Sequence, residues 1–220
     1  MHEIGKGNIG DSCLLATDSN EEFLFVLQRI HPEPRLANNM MEQLFELVPF
    51  PDPGIPILRI TGSAVRSGNL LTVLYSLSGT VNSVLFPSLN PQPGRKNELW
   101  MATCFEFFLA RPDRPQYWEF NLSPSGDWNV YRLDAYRRKR SPEEKLVRDL
   151  RLEIQNRPGC FRLQTVVELS RILGSEKQLV MGVACIIQTL DGHETYWALT
   201  HPSPQADFHR RESFILALEA

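Results

Sequence analysis

The chain has 220 residues, of which 42% are hydrophobic and 22% charged, and it carries a formal net charge of -3 at pH 7. A chain of this size can form one large domain, with or without an appended segment, and needs no disulfide or metal to stabilise its core. The slight negative charge gives no electrostatic reason to expect a nucleic-acid partner. No apolar run reaches the roughly 20 residues that a helix needs to span a bilayer, so we expect no membrane partner.

The four cysteines, Cys13, Cys104, Cys160 and Cys185, are far apart and show neither a CxxC pair nor the spacing of metal ligands. Three of them lie in strand-like runs, where a reduced cysteine behaves as a small apolar residue. This usage favours a reducing compartment. The first residues also lack the basic-then-apolar order of a signal peptide. We therefore expect a cytoplasmic protein.

Residues 1–39 differ in character from the rest of the chain. The run EEFLFVLQRI is compatible with a short helix, but Pro32 and Pro34 then break any regular structure. We expect 1–39 to be a mobile N-terminal extension and 40–220 to form the folded domain. The tandem Met40 and Met41 raise the hypothesis that translation begins there, which a peptide from residues 1–39 of the native protein would refute.

From Leu44 onward the apolar residues recur with a period of two, which is typical of β-strands. Residues 56–79 predict two strands around a turn at 67–69, and the second strand places four side chains on one face. These four are Leu71, Val73, Tyr75 and Leu77. Residues 82–97 hold three prolines and a glycine at 94, which predicts a loop.

Residues 100–137 contain three of the four tryptophans and predict three further strands. In residues 99–110, Phe105 and Phe107 alternate with Glu106, and in residues 117–123, Trp118 and Phe120 alternate with Glu119 and its neighbours. A turn at 124–127 then leads into a strand at 128–134. The alternation predicts one core face and one polar face for this region.

The remaining residues contain one ambiguous segment. Ser141, Pro142 and Glu144 have the pattern of a helix start, so we predict a short helix near 142–148. A hairpin over 149–169, a hairpin around Asp191 and Gly192, and a last strand over 212–219 follow. In total, about nine to ten mostly antiparallel strands predict an all-β, jelly-roll-like β-sandwich.

Two glutamates, Glu106 and Glu119, lie in mid-strand among aromatic residues. A buried carboxylate needs a hydrogen bond or a charge partner. The pair is compatible with ligand binding or with acid–base chemistry on a glycosidic bond. A solvated face or a structural ion pair is the simpler interpretation of both.

The four tryptophans, Trp100, Trp118, Trp128 and Trp197, are candidate platforms on which a sugar ring stacks. Asn121, Asn129, Arg132 and Asp134 lie nearby to bond sugar hydroxyl groups. Tryptophans on alternating strands more often belong to the core. Trp128 is the best binding candidate, because it directly follows a turn and is expected to stand at a rim.

A loop near the end of the chain contains His201, Asp207 and His209 together with Arg210 and Arg211. These residue types can bind a metal or shuttle a proton, although the spacing is a weak metal pattern. A loop fixed against the sandwich by its polar side chains is the alternative. No phosphate loop, nucleophile elbow, GxGxxG or HExxH motif is present, so nucleophilic catalysis has no support.

Several short segments resemble one known family. These are residues 99–100, 103–106, 117–121 and 123–126 before Trp128, followed by 196–199, 201–202 and 207–209. Together they resemble the DOMON-like proteins related to family-nine carbohydrate-binding modules, over roughly residues 41–219. The resemblance implies a jelly-roll-like sandwich and the binding of a carbohydrate, while the wider DOMON group also includes haem binders.

The residues and the resemblance together predict a non-catalytic β-sandwich that binds a carbohydrate or a sugar-like small molecule. The candidate ligand-binding residues are Trp118, Trp128, Glu106, Glu119, Asn121, Arg132, His201, Asp207 and His209. Three alternatives stay open. One is a haem or metal binder using His201, His209, Met101 and Met181. The others are a glycoside hydrolase using Glu106 and Glu119, and a scaffold that binds a protein partner.

Overall fold

The computed structural model describes residues 42–138, 145–174 and 177–219, and the predicted N-terminal extension lies outside them. The described residues form eleven β-strands, one short α-helix and three single turns of 3-10 helix. The strands are β1 (Glu42–Pro49), β2 (Leu58–Ser67), β3 (Leu70–Gly79), β4 (Cys104–Ala110), β5 (Tyr117–Leu122), β6 (Trp128–Leu133), β7 (Leu152–Arg157), β8 (Cys160–Glu168), β9 (Gln178–Gln188), β10 (Glu194–Ala198) and β11 (Leu216–Glu219). The helix α1 covers Ser170–Leu173.

All named strand pairs are antiparallel, and they form two layers. The first sheet has the order β1-β2-β3-β8-β7, and the second has the order β6-β5-β4-β9-β10, with β11 paired to the other half of β9. A short pairing of β1 with β10 connects the two sheets. The prediction of an all-β, jelly-roll-like sandwich is confirmed.

The core lies between the two layers and is built by the inward side chains of each strand. Leu71, Val73, Tyr75 and Leu77 are all buried, as their alternation predicts. The rings of Phe105 and Phe161 stack across the layers at 5.5 Å between centroids. Burying each large apolar side chain stabilises the fold by about 1.5–3 kcal/mol.

Three boundaries differ from the sequence-based expectation. Leu99–Met101 forms a turn of 3-10 helix, so β4 begins only at Cys104. Arg211–Ser213 forms another such turn, and β11 begins at Leu216. The helix predicted near 142–148 falls partly outside the described residues, and residues 145 and 146 form a turn. Among the described residues, no helix is long and apolar enough to cross a membrane.

Candidate functional site

The outer face of the second sheet carries a row of polar side chains near its β6 edge. Glu106 on β4 lies directly opposite Asn121 on β5, which in turn lies opposite Asn129 on β6. One step along the strands, Glu119 lies opposite Tyr131. We call these five residues the polar ladder. Directly opposite side chains on one face lie about 4.5–5.5 Å apart at Cβ, so the ladder is one continuous row of neighbouring polar side chains.

The polar ladder is buried, with exposures between 0% and 4%. Buried polar groups must find hydrogen bonds, because an unpaired polar group away from water costs free energy. The amide of Asn121 donates from Nδ2 to Oε1 of Glu119 at 2.8 Å. The thiol of Cys104 donates a weak bond to Oδ1 of Asn121 at 3.8 Å. The first bond joins two residues of β5, and the second connects β5 to β4.

Residues 94–102, which we call the Asn97 loop, fold against the ladder. The loop runs beside β6, since the backbone N–H of Trp128 donates to the carbonyl of Gly94 and that of Lys96 donates to the carbonyl of Trp128. Oδ1 of Asn97 accepts hydrogen bonds from Nδ2 of Asn129 at 2.9 Å and from the hydroxyl of Tyr131 at 3.0 Å. Asn97 itself is exposed, so its amide lies between the solvent and the buried ladder.

The Asn97 loop also presents an aromatic side chain beside the ladder. Glu98 adopts a left-handed backbone conformation with φ of 61°, which is uncommon for a residue other than glycine. The 3-10 turn that follows brings the ring of Trp100 edge-on to Tyr131, at 5.8 Å between centroids. Trp100 is only partly buried. Its ring also packs against the neighbouring apolar cluster. A partly exposed indole next to amide and carboxyl groups is the combination found in small-molecule sites.

The other half of the same face is apolar. Phe108, Tyr117 and Leu133 form a second hydrophobic cluster with Phe208 and Phe214. The last two belong to residues 199–215, which we call the covering loop. Gly182 permits this contact, because a Cβ at that position would lie 2.6 Å from the ring of Phe214. The covering loop thus closes the apolar half of the face.

Asp207 anchors the covering loop. Its carboxylate accepts hydrogen bonds from the hydroxyl of Tyr136 at 2.6 Å and from Nη2 of Arg137 at 3.0 Å, and Arg210 lies at 3.4 Å. Partial burial opposes ionisation, but the hydrogen bonds from Tyr136 and Arg137 outweigh it and hold the pKa of Asp207 below its usual value. Asp207 therefore stays ionised and connects the loop to the end of β6.

The two histidines of the covering loop have separate structural contacts. Nδ1 of His209 lies 2.8 Å from the hydroxyl of Tyr117. Burial raises the pKa of Tyr117 to about 12, so the phenol stays protonated and can donate to the imidazole. His201 instead bonds through Nε2 to the carbonyl of Val48 at 2.9 Å and packs edge-on against Phe50.

The structure brings only part of the predicted site together. Glu106, Glu119 and Asn121 share the polar ladder, as their alternation suggested. Asp207 and His209 belong to the cover of the apolar half. Their bonds match the alternative in which polar side chains fix the loop to the sandwich.

The expectation that Trp128 stands at a rim is wrong. Trp128 is 4% exposed and belongs to the central core, with the guanidinium of Arg95 at 4.4 Å from its ring. Trp118 is 3% exposed in the same core. Arg132 lies opposite Trp118 and therefore on the other side of the sheet from Glu119. Its guanidinium is exposed, 3.8 Å from Asp134.

The sequence did not single out Asn97 or Tyr131. Tyr131 alternates with Trp128 and Val130, so the register of the hairpin between β5 and β6 would have placed it opposite Glu119. Nothing local marks Asn97, because its role depends on a contact with residues more than thirty positions away.

This geometry gives little support to two of the alternative functions, the glycoside hydrolase and the haem or metal binder. The side chains of Glu106 and Glu119 are 4% and 3% exposed, so a glycosidic bond cannot lie between them in this conformation. Met181 is buried in the central core while Met101 is 66% exposed on the Asn97 loop. In the described part of the chain, no group of three or more His, Cys, Asp or Glu residues could hold a metal ion.

No protein-family model matches the chain. No curated protein matches its sequence. Its structure is similar to that of a protein from Bacteroides uniformis ATCC 8492 that is provisionally assigned as carbohydrate-binding, with 14% identity and a TM-score of 0.63 over 90% of this chain and 91% of that chain. A family 9 carbohydrate binding module from Caldicellulosiruptor kristjanssonii, in complex with cellotriose, gives 14% identity and a TM-score of 0.45 over 76% of this chain and 77% of the module. The second similarity is too distant to carry a conclusion. The first shows that this chain shares the fold of the Bacteroides protein.

Proposed function

We propose that this protein is a non-catalytic, DOMON-like β-sandwich that binds a carbohydrate at the polar ladder, with Trp100 as the stacking platform. The observation that carries the proposal is the juxtaposition of a partly exposed indole with buried amide and carboxyl groups on one sheet face. A sugar ring offers an apolar face for an aromatic side chain and hydroxyl groups for amides and carboxylates.

The fold supports this proposal by analogy. The Bacteroides protein of the same fold is provisionally assigned as carbohydrate-binding. Function resides in a site and not in a fold, so the analogy raises the expectation without supplying the ligand-binding residues. Those residues come from the geometry of this chain. We assign them as Trp100, Asn97, Tyr131, Glu119 and Asn121.

Binding requires the Asn97 loop to move. The ladder is buried, and Oδ1 of Asn97 accepts one hydrogen bond each from Asn129 and Tyr131. An incoming hydroxyl group can replace that amide oxygen as the acceptor, so the exchange conserves the hydrogen bonds of the buried groups. The left-handed conformation of Glu98 lies within this loop, and such strain is often concentrated at sites that move or bind.

The test is a calorimetric titration with a panel of mono- and oligosaccharides, followed by variants with the best ligand. We expect Trp100→Ala to weaken binding at least about tenfold, since aromatic anchors dominate small interfaces. Tyr196→Ala is the matched control, because Tyr196 is a 36% exposed aromatic on β10, at the opposite side of the same sheet. It should bind normally. The proposal would be contradicted if no sugar of the panel bound, or if both variants lost the same binding affinity.

The non-catalytic part of the proposal has its own test. We expect no hydrolysis of chromogenic glycosides by the purified protein. Turnover that disappears in both Glu106→Gln and Glu119→Gln would support the hydrolase alternative instead.

A further inference from the structure

The strands β6 and β7 stand at the two ends of the strand order, and their outer edges are covered differently. At the outer edge of β6, both the N–H and the C=O of Trp128 form hydrogen bonds with the backbone of the Asn97 loop. At the other end, β7 is six residues long and pairs with β8, and no other strand of the described residues pairs with its second edge. An uncovered edge presents backbone N–H and C=O groups that can pair with another strand.

The turn that precedes β8 determines which backbone groups point to this open edge. Pro158 and Gly159, with φ of 73° at the glycine, form a two-residue turn between the opposed residues Arg157 and Cys160. In a hairpin with such a short turn, the flanking pair exchanges hydrogen bonds, and bonded and non-bonded pairs then alternate. Gln155 and Glu153 therefore bond to β8. Ile154 and Asn156 direct their N–H and C=O groups away from it.

The side chains of β7 are self-complementary in charge. Glu153 and Arg157 are four residues apart, so both point to the outer face of the sheet, and both are exposed. Neither forms an ion pair within the part of the chain that the structure describes. Gln155 lies midway between them.

We propose that β7 pairs in antiparallel fashion with β7 of a second copy of this chain, around a two-fold axis at Gln155. In this register, Ile154 and Asn156 of the two copies exchange backbone hydrogen bonds. Glu153 of each copy then lies opposite Arg157 of the other, in the non-hydrogen-bonded pairs whose side chains approach most closely. A two-fold interface uses the same surface on both copies, which a self-complementary strand supplies.

The pairing also covers apolar surface. Leu152 and Ile154 are only partly buried and pack against the core at the end of the sheet, so a neighbouring strand extends the layer over them. A six-residue edge falls at the small end of protein interfaces. The dimer is therefore weak and depends on concentration.

Sedimentation velocity over a range of protein concentrations tests the proposal, with charge reversals as variants. Glu153→Arg and Arg157→Glu each place like charges opposite one another, and each should weaken dimerisation about tenfold. The double variant restores opposite charges and should dimerise like the parent chain. This rescue distinguishes the specific pairing from a general effect of surface charge.

A backbone variant provides the second arm. Asn156→Pro removes an N–H that points to the open edge and leaves the ladder to β8 intact, so it should abolish the dimer without loss of folding by circular dichroism. A parent chain that stays monomeric at all concentrations overturns the proposal. So does a dimer that all three single variants leave unchanged.

Discussion

The outer face of the second sheet has two halves that share strands β4, β5 and β6 but are closed in different ways. The apolar half around Phe108 and Tyr117 is covered by aromatic residues of the covering loop. The polar ladder is covered by the Asn97 loop, whose Trp100 remains partly exposed. The covering loop is held by tight aromatic packing and an ionic anchor. The Asn97 loop is held mainly by hydrogen bonds, both from its backbone to Trp128 and from Asn129 and Tyr131. The comparison leads us to expect that the apolar half contributes more to the stability of the fold and that the polar half is the one that opens to bind a ligand.

The largest loss of folding stability should come from a substitution in the apolar half. Phe108→Ala removes a 1% exposed ring that packs against Phe214 and His209, and we expect a loss of about 3–5 kcal/mol in the free energy of unfolding. Urea denaturation followed by circular dichroism measures it. A loss below about 1 kcal/mol would mean that the covering loop packs loosely, which would remove the contrast between the two halves.

The anchor of the covering loop should have a smaller effect that depends on pH. Asp207→Asn weakens the bonds to Arg137 and Tyr136, and we expect a loss of about 1–2 kcal/mol at neutral pH. The pKa of Asp207 is lowered in the folded protein, so its contribution is present above the unfolded pKa of about 3.9 and is lost as the pH falls through the folded pKa.

Thermal unfolding of both proteins between neutral pH and the acid range measures this difference. The parent chain and Asp207→Asn should converge in acid. Asp134→Asn is the matched control, because Asp134 forms an exposed pair with Arg132 and should cost almost nothing. If the difference in Tm between the two proteins stayed constant at all pH values, the ionised form of Asp207 would not be what anchors the loop.

The smallest effect on stability should come from the polar half. Asn97→Ala removes one acceptor shared by Asn129 and Tyr131, and we expect a cost of about 1 kcal/mol. It should also open the Asn97 loop. Acrylamide quenching of tryptophan fluorescence detects this, because Trp118, Trp128 and Trp197 are only 3–4% exposed and Trp100 therefore dominates the quenching.

Asn82→Ala is the matched control for this variant, because Asn82 is exposed in another part of the chain. Quenching should rise in Asn97→Ala and stay unchanged in Asn82→Ala. Equal quenching in the two variants would show that Asn97 does not hold the loop, and that the polar half is as firmly closed as the apolar half.

The sequence predicted the strands well because a period of two depends only on neighbouring residues. The face formed by Leu71, Val73, Tyr75 and Leu77 is buried as expected. The same alternation separated Glu106 and Glu119 from the core face. It failed at Leu99–Met101, where an alternating run forms a 3-10 turn after the left-handed Glu98.

The candidate site was predicted only in part. Trp128 follows a turn in the sequence, which suggested a rim, yet the Asn97 loop runs beside it and Arg95 lies over its ring. Asn97 carried no local signal. The burial of Trp128 and the role of Asn97 both depend on how the Asn97 loop packs. Loop packing follows from tertiary contacts, which the periodicity of the sequence does not predict.

The sequence by itself determined the fold class, the division of each strand into two faces, and the placement of Glu106, Glu119 and Asn121 on the polar one. Those properties follow from backbone geometry, because side chains alternate along a strand whatever surrounds it. Only the tertiary structure decided which half of that face is closed by aromatic packing and which by a hydrogen-bonded loop. That choice depends on residues distant in sequence, Phe214 against Gly182 in one half and Asn97 against Asn129 in the other.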